Sequence, residues 1–352
     1  MRTKAVDIAR ALGISKSTVS LALNGKPGVS EKTRQEIETC RRLLEEGKTY
    51  PQSVAVSNTA ETEAEKTLSR QIKVVRVING MKNIQGAELD LWTDVNEVFV
   101  RNLRENGYSL GLVYADFREQ DLSAMLEECS GEDVAGVIIY GTELREEDTA
   151  ILQKIRKPMV IYDAVLKTDQ YPMIVIDNRQ GVELSVNELL SKGNREITYL
   201  SNPMPMYNYQ SRQRGFLEIM KNRGYGDASD RIVPVGSSIE ECHQAMLHYF
   251  QNHELPDAFI AESYHVTMGT VMAAQELGIR IPGDVSLVGV DALPSYLTGG
   301  INVTSIRVPH TERAYWAIQM LLKEITHPVK EKCRLYSNCV LVDGESVRRR
   351  ET

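Results

Sequence analysis

From Ile72 onward the chain alternates short apolar runs, rich in β-branched residues, with stretches of helical periodicity, and it does so twice. The first series is Val74–Ile78, a helical stretch through Val95, Val98, Phe99 and Leu103, then Ser109–Tyr114, Gly136–Tyr140 and Met159–Tyr162. The second is Ile197–Leu200, Ala258–Ala261 and Val285–Val290. Strands separated by helices pair in parallel, and a sheet so built is covered on both faces. Two such series in tandem predict two α/β lobes, with a ligand bound between them at the carboxyl ends of their strands.

The first fifty residues follow another rule. Thr3 can cap a helix in which Ala5, Ile8, Ala9 and Leu12 make one apolar stripe, and Gly13 stops it. Ser15 caps a second helix after a two-residue turn, with Val19, Ala22 and Leu23 expected inward and Asn24-Gly25 closing it. Ser30 opens a third, whose Ile37, Cys40 and Leu44 complete a small core. Two short helices about a tight glycine turn make a helix-turn-helix, and the outward side of the second offers Lys16, Ser17, Thr18, Ser20 and Leu21. Short hydroxyls reach phosphates and a longer cation reaches base edges, which suits a major groove. Charge points the same way: Met1 to Gln52 carries a net of +4 and the remainder −11. Attraction to phosphate is thereby confined to one end.

Composition narrows the remaining classes. At 352 residues, with 42% apolar and 25% charged side chains, the chain can bury a sizeable core and suits a small domain plus a larger one. Its five cysteines form no Cys-x-x-Cys pair, and with no apolar leader and no membrane-length apolar run the expected setting is reducing and cytoplasmic. The six histidines stand apart from any nucleophile elbow, zinc motif or phosphate loop, so no enzyme, cofactor or metal is expected.

Val6-Asp7-Ile8-Ala9, Gly13-Ile14-Ser15, Ser17-Thr18-Val19-Ser20, Leu23-Asn24 and Val29-Ser30-x-x-Thr33-Arg34 together resemble the head of the lactose/galactose repressor (LacI/GalR) family. The resemblance implies base contacts from Lys16, Ser17 and Leu21, and phosphate contacts or bracing from Lys4, Ser15, Thr18, Ser20, Asn24, Ser30 and Thr33. Leu21 stands where the family usually has arginine, so it can only pack on a thymine methyl, and the operator should differ from the common one. Tyr50 to Ala55 resembles the family's hinge, which becomes helical in the minor groove and wedges a leucine between bases. The wedge position holds Asn58, and the segment reads equally as a solvated linker.

The body resembles the family through Asp177-Asn178-x-x-Gly181, Arg212-x-x-Gly215-Phe216, Gly278-x-x-x-Pro282-x-Asp284-Val285-Ser286, Val288-Gly289-x-Asp291 and Thr304-Ser305-Ile306. The implied fold class is an N-terminal all-α helix-turn-helix head with an α/β periplasmic-binding-protein-like body of two parallel-sheet lobes. The implied domains are a head at 1–50, a hinge or linker at 51–71 and a body at 72–352. Lobe 1 would take about 72–176 and 309–330, and lobe 2 about 177–308 and 331–345, with crossings near Ile176, Val308 and Lys330. Matched positions give a pocket of Arg212, Asp291, Asp163, Ser263, Tyr264 and Trp92, the tryptophan reading equally as core. Ser263-Tyr264 replaces the family's usual Asn-Asp. The implied function is a ligand-responsive regulator of a carbohydrate operon, in which a homodimer binds a double-stranded pseudo-palindromic operator and a small-molecule effector. A nucleobase or a phosphoprotein co-effector is the alternative.

Overall fold

The computed structural model describes residues 5–12, 16–26, 29, 31–45, 70–80 and 91–350. The chain divides into two compact units, Met1–Leu68 and Ser69–Thr352.

In the first unit, helices α1 (Ala5–Leu12), α2 (Lys16–Leu23) and α3 (Glu31–Glu45) enclose Ile8, Ala9, Leu12, Val19, Ile37 and Cys40. Ala22 and Leu44 pack against this cluster as the apolar spacing predicts, whereas Leu23, expected inward, is exposed. The α2 stop has a clear physical basis. Gly25 adopts φ +65, which costs a glycine nothing, and lets Gly25 N donate to Ala22 O at 3.1 Å and Lys26 N to Leu21 O at 3.0 Å.

The second unit holds two six-stranded sheets. Lobe 1 contains β1 (Gln71–Ile78), α4 (Leu91–Glu105), β2 (Ser109–Asp116), α5 (Ser123–Ser130), β3 (Val134–Tyr140), α6 (Thr149–Leu152), β4 (Met159–Tyr162) and β5 (Met173–Ile176). The chain then enters lobe 2 through α7 (Asn178–Ser191), β6 (Ile197–Ser201), α8 (Tyr207–Asn222), β7 (Ile232–Pro234), α9 (Ile239–Asn252), β8 (Ala258–Ala261), α10 (Tyr264–Glu276), β9 (Ser286–Val290) and β10 (Ser305–Arg307). Helix α11 (His310–Thr326) returns to lobe 1, followed by β11 (Arg334–Ser337) and β12 (Val340–Val342).

The sheet orders are β11-β5-β4-β3-β1-β2 and β12-β10-β9-β8-β6-β7, so one lobe repeats the topology of the other. Every pairing is parallel except that of β10 with β12. The all-apolar runs explain this: β3, β4, β5 and β8 are buried at every position, as strands covered by helices on both faces must be. Gly181 permits the close approach of α7 to the crossing strands, because a Cβ there would meet Cys339 Sγ and Ile306 Cγ2 at 3.3 Å.

One expected boundary is corrected. The third crossing, expected near Lys330, lies between Ser337 and Val340, since β11 extends the lobe 1 sheet by pairing in parallel with β5. Only β12 and the residues after it belong with lobe 2, where Ser346 Oγ donates to Leu287 O at 2.5 Å.

Candidate functional site

On α2, Lys16 and Ser20 are exposed, while Thr18 and Leu21 are half-buried. Ser17 lies on the same helix, but its side chain is outside the described residues, as are Lys4, Ser15, Ser30, Ala55 and Asn58. Asn24 caps the helix: its Nδ2 donates to Ser20 O at 2.7 Å. Arg34 of α3 clamps the same end, donating to Ala22 O at 3.0 Å and to Lys26 O, beside a half-buried Thr33. Asn24 thus braces the recognition helix, and Arg34 shares a task that its sequence motif did not reveal. With one end of α2 fixed, its exposed hydroxyl and ammonium groups are held on a rigid element.

In the body, Asp163 and Asp291 occupy equivalent places, each directly after the strand third in its sheet order. Both adopt left-handed backbone, φ 72 and φ 63, and each amide donates at 2.9 Å to the next strand, at Ile174 O and Ile306 O. A non-glycine residue in that region is strained, and such strain gathers at ligand sites. Here both carboxylates are held by side chains, that of Asp163 by Arg313 and Thr142 and that of Asp291 by His310.

A continuous chain of hydrogen bonds joins the lobes. Arg212 Nε of α8 donates to Asn178 Oδ1 at 2.9 Å, Asn178 Nδ2 to Asn208 Oδ1 at 2.8 Å, and Asn208 Nδ2 to Asp163 O at 3.2 Å. Arg212 Nη1 also donates to Glu262 O at 2.7 Å. Asp163 Oδ1 takes Arg313 of α11, and its Oδ2 accepts from Thr142 Oγ1 at 2.6 Å. A second crossing joins His310 Nε2 of α11 to Asp291 Oδ1 at 3.1 Å. Burial pushes the Asp291 carboxyl up, but the hydrogen bond and charge of His310, with the nearby Arg212 and Arg313, outweigh it and hold the group below the ordinary aspartate range.

The structure therefore links Arg212 to the backbone of Asp163 through Asn178 and Asn208, at a junction of the lobes that His310 and Asp291 also join. Ser263 is buried beside them, where its Oγ caps α10 by accepting from Val266 N, and Tyr264 stacks on His265 with ring centroids 3.8 Å apart. Trp92 falls in the first turn of α4, and its side chain lies outside the described residues. Sequence reasoning missed Asn208, Glu262, His310 and Arg313. Two of these carried a signal: Arg313 interrupts the apolar stripe of Ala314, Ala317, Ile318 and Leu321, and Glu262 follows directly on the buried run of β8.

The head defines a DNA-binding module and the body a two-lobed small-molecule receptor. The chain is a LacI-family DNA-binding transcriptional regulator. Residues 6–42 match the model of bacterial regulatory proteins of the lacI family, and residues 186–347 match a periplasmic binding protein-like domain. The HTH-type transcriptional repressor PurR of Klebsiella pneumoniae is 26% identical over 349 residues, covering 97% of this chain and 96% of its own. Among solved structures, the transcriptional regulator CelR–cellobiose complex has a TM-score of 0.67 at 21% identity, covering 98% of this chain and 100% of its own. The lac repressor dimer bound to operator and the anti-inducer ONPF has a TM-score of 0.66 at 18% identity, covering 99% of this chain and 100% of its own. The relatives are transcriptional regulators, not enzymes. Among the described residues, no helix is long and apolar enough to cross a membrane.

Proposed function

We propose that this chain is a ligand-responsive repressor of a carbohydrate utilisation operon, which binds a pseudo-palindromic operator as a homodimer and is switched by a sugar-like effector in the interlobe cleft. The observation that carries this reading is the hydrogen-bonded chain from Arg212 to Asp163, because it gathers polar groups of both lobes around one space. A ligand touching both lobes has different affinities for open and closed bodies, and only such a ligand can drive a change of state. The cellobiose held by the CelR structure supports the sugar class.

Dimerisation is supported by the lobe 1 edge. Strand β2 leaves one side of the sheet unpaired among the described strands, and Leu112 and Tyr114 on it, with Val100 on the adjacent α4, are large exposed apolar side chains. A second copy covering that edge would remove an aggregation hazard and set two heads at a fixed separation. Selection of DNA from a random pool by the full-length protein tests the first half of the proposal, with two related half-sites expected and a single unrepeated half-site contradicting the dimer. Titration of the resulting complex with mono- and disaccharides, and with purines for the alternative reading, tests the second. A carbohydrate should change operator affinity; a response confined to purines would overturn the sugar class.

A further inference from the structure

We propose that His310 and Asp291 form a proton-operated latch between the lobes, which acidification through the imidazole range tightens with no effector bound. The latch is a property of the empty body and goes beyond the effector reading.

Its two partners belong to different lobes. Asp291 follows β9 of lobe 2, whereas His310 opens α11, whose Ala314, Ala317, Ile318 and Leu321 pack into the lobe 1 core. Nε2 and Oδ1 meet at 3.1 Å. Each partner is held by its own lobe, Asp291 through its left-handed backbone and its amide on Ile306 O at 2.9 Å, His310 through Tyr162 OH, which donates to its carbonyl at 3.3 Å. A hydrogen bond weakens steeply with distance and angle, so even a small rotation of one lobe against the other breaks this contact. With side chains 20% and 14% exposed, both groups exchange protons with water while the body stays folded.

The strength of the contact depends on charge. A neutral imidazole gives the carboxylate one N–H, whereas an imidazolium adds a positive charge to the same hydrogen bond. Burial pushes the Asp291 carboxyl up, but His310, Arg212 and Arg313 outweigh it, so the group stays ionised throughout the imidazole range. The positive end of α11 disfavours the added charge, yet it acts through partial charges and the carboxylate through a full one. The other groups facing the pair do not take its place. Arg313 is spent on Asp163, and Arg212 gives Nε and Nη1 to Asn178 Oδ1 and Glu262 O. Desolvation lowers His265 of α10 to about 4, which leaves it neutral, and burial raises the Tyr162 hydroxyl and the Cys339 thiol, which stay protonated. Glu312, next but one to His310, accepts from Thr311 Oγ1 at 2.9 Å, and Arg307 after β10 is exposed. Glu262 does titrate nearby, raised by burial to about 7, but its oxygens take Tyr199 OH and Asn202 N.

Electron–electron distance measurement tests the latch on the full-length, effector-free protein. Spin labels at the exposed Glu147 of lobe 1 and Glu240 of lobe 2, with the exposed Cys333 changed to serine and labelled chains diluted into unlabelled ones, read the lobe separation. Between about pH 8 and about pH 5.5 the ratio of short to long separations should rise about tenfold in the parent. His310→Gln should hold one distribution at both values. So should Asp291→Asn, since asparagine tolerates left-handed backbone, and it reads the same latch from the other side. A double-mutant cycle of these two changes by urea denaturation cancels the titration of Glu262, which all four proteins share. Its coupling should be about tenfold stronger at the acid value. A parental separation that ignores pH, an equal shift in both variants, or a coupling unchanged by pH would each overturn the latch, and each would leave the effector reading standing.

Discussion

Lys16 stands exposed on α2 with Ser17 beside it in sequence, at the positions expected to read bases. Lys16→Ala and Ser17→Ala should each change the operator sequence recovered from a random pool, by about 1–3 kcal/mol of discrimination at one position. Lys4→Ala should instead weaken binding to all sequences and lower the salt slope by about one. Recovery of the parental sequence by all three variants would contradict the assignment. In the cleft, Glu262 and His265 give opposite pH dependences. The carboxyl of Glu262 is raised by burial from 4.5 to about 7, so its contribution to stability is complete below the lower value and lost as pH rises through the higher. The imidazole of His265 is lowered by burial from 6.5 to about 4, so its contribution is complete above 6.5 and lost as pH falls toward 4. The two slopes oppose each other in the parent. Glu262→Gln should unmask the histidine, giving stability that rises from acid to neutral pH, with a parent-minus-variant difference that falls by up to about 3 kcal/mol. Equal pH profiles by thermal or urea denaturation would contradict the buried, perturbed carboxyl.

At the scale of elements, the strands that form the middle of each sheet were legible because burial on both faces leaves an apolar run, as at β3, β4 and β8. Edge and crossing elements leave no such trace. Strand β11 reads Arg-Leu-Tyr-Ser with alternate exposure, and only two residues separate it from β12, so nothing in its composition marks the sheet it joins. The positions of Asp291 at a strand end and of Arg212 on a lobe 2 helix were legible because both stand in motifs, whereas Arg313 and His310, supplied by a helix packed from the other lobe, left no such mark. The capped α2 was legible from Asn24-Gly25, but the Arg34 clamp needed the fold to bring α3 against it. The β2 edge gives a prediction at this scale. Leu112→Glu with Tyr114→Lys should shift the protein toward monomers in sedimentation and weaken operator binding by about 100-fold, through loss of effective concentration between two heads. An unchanged dimer would place the interface elsewhere.

Over the whole molecule, a basic head is joined to an acidic body, and under the proposed function DNA affinity and effector affinity reside in separate units and can be altered separately. The body is a two-lobed device whose lobes touch through Asn208 to Asp163 and through His310 to Asp291. Under the proposed function an effector bound between the lobes favours that touching arrangement, and the gain is limited by its difference in affinity between the two states. That proposal makes Arg212 central to the coupling, since it is one end of the hydrogen-bonded chain that joins the lobes. The most direct test titrates operator DNA with the parent and with Arg212→Ala, first alone and then with an effector that switches the parent. The account predicts parental DNA affinity for the variant without effector and an effector response weakened by about 30- to 1000-fold, the equivalent of about 2–4 kcal/mol. An Arg212→Ala protein that responds at parental effector concentrations would contradict it.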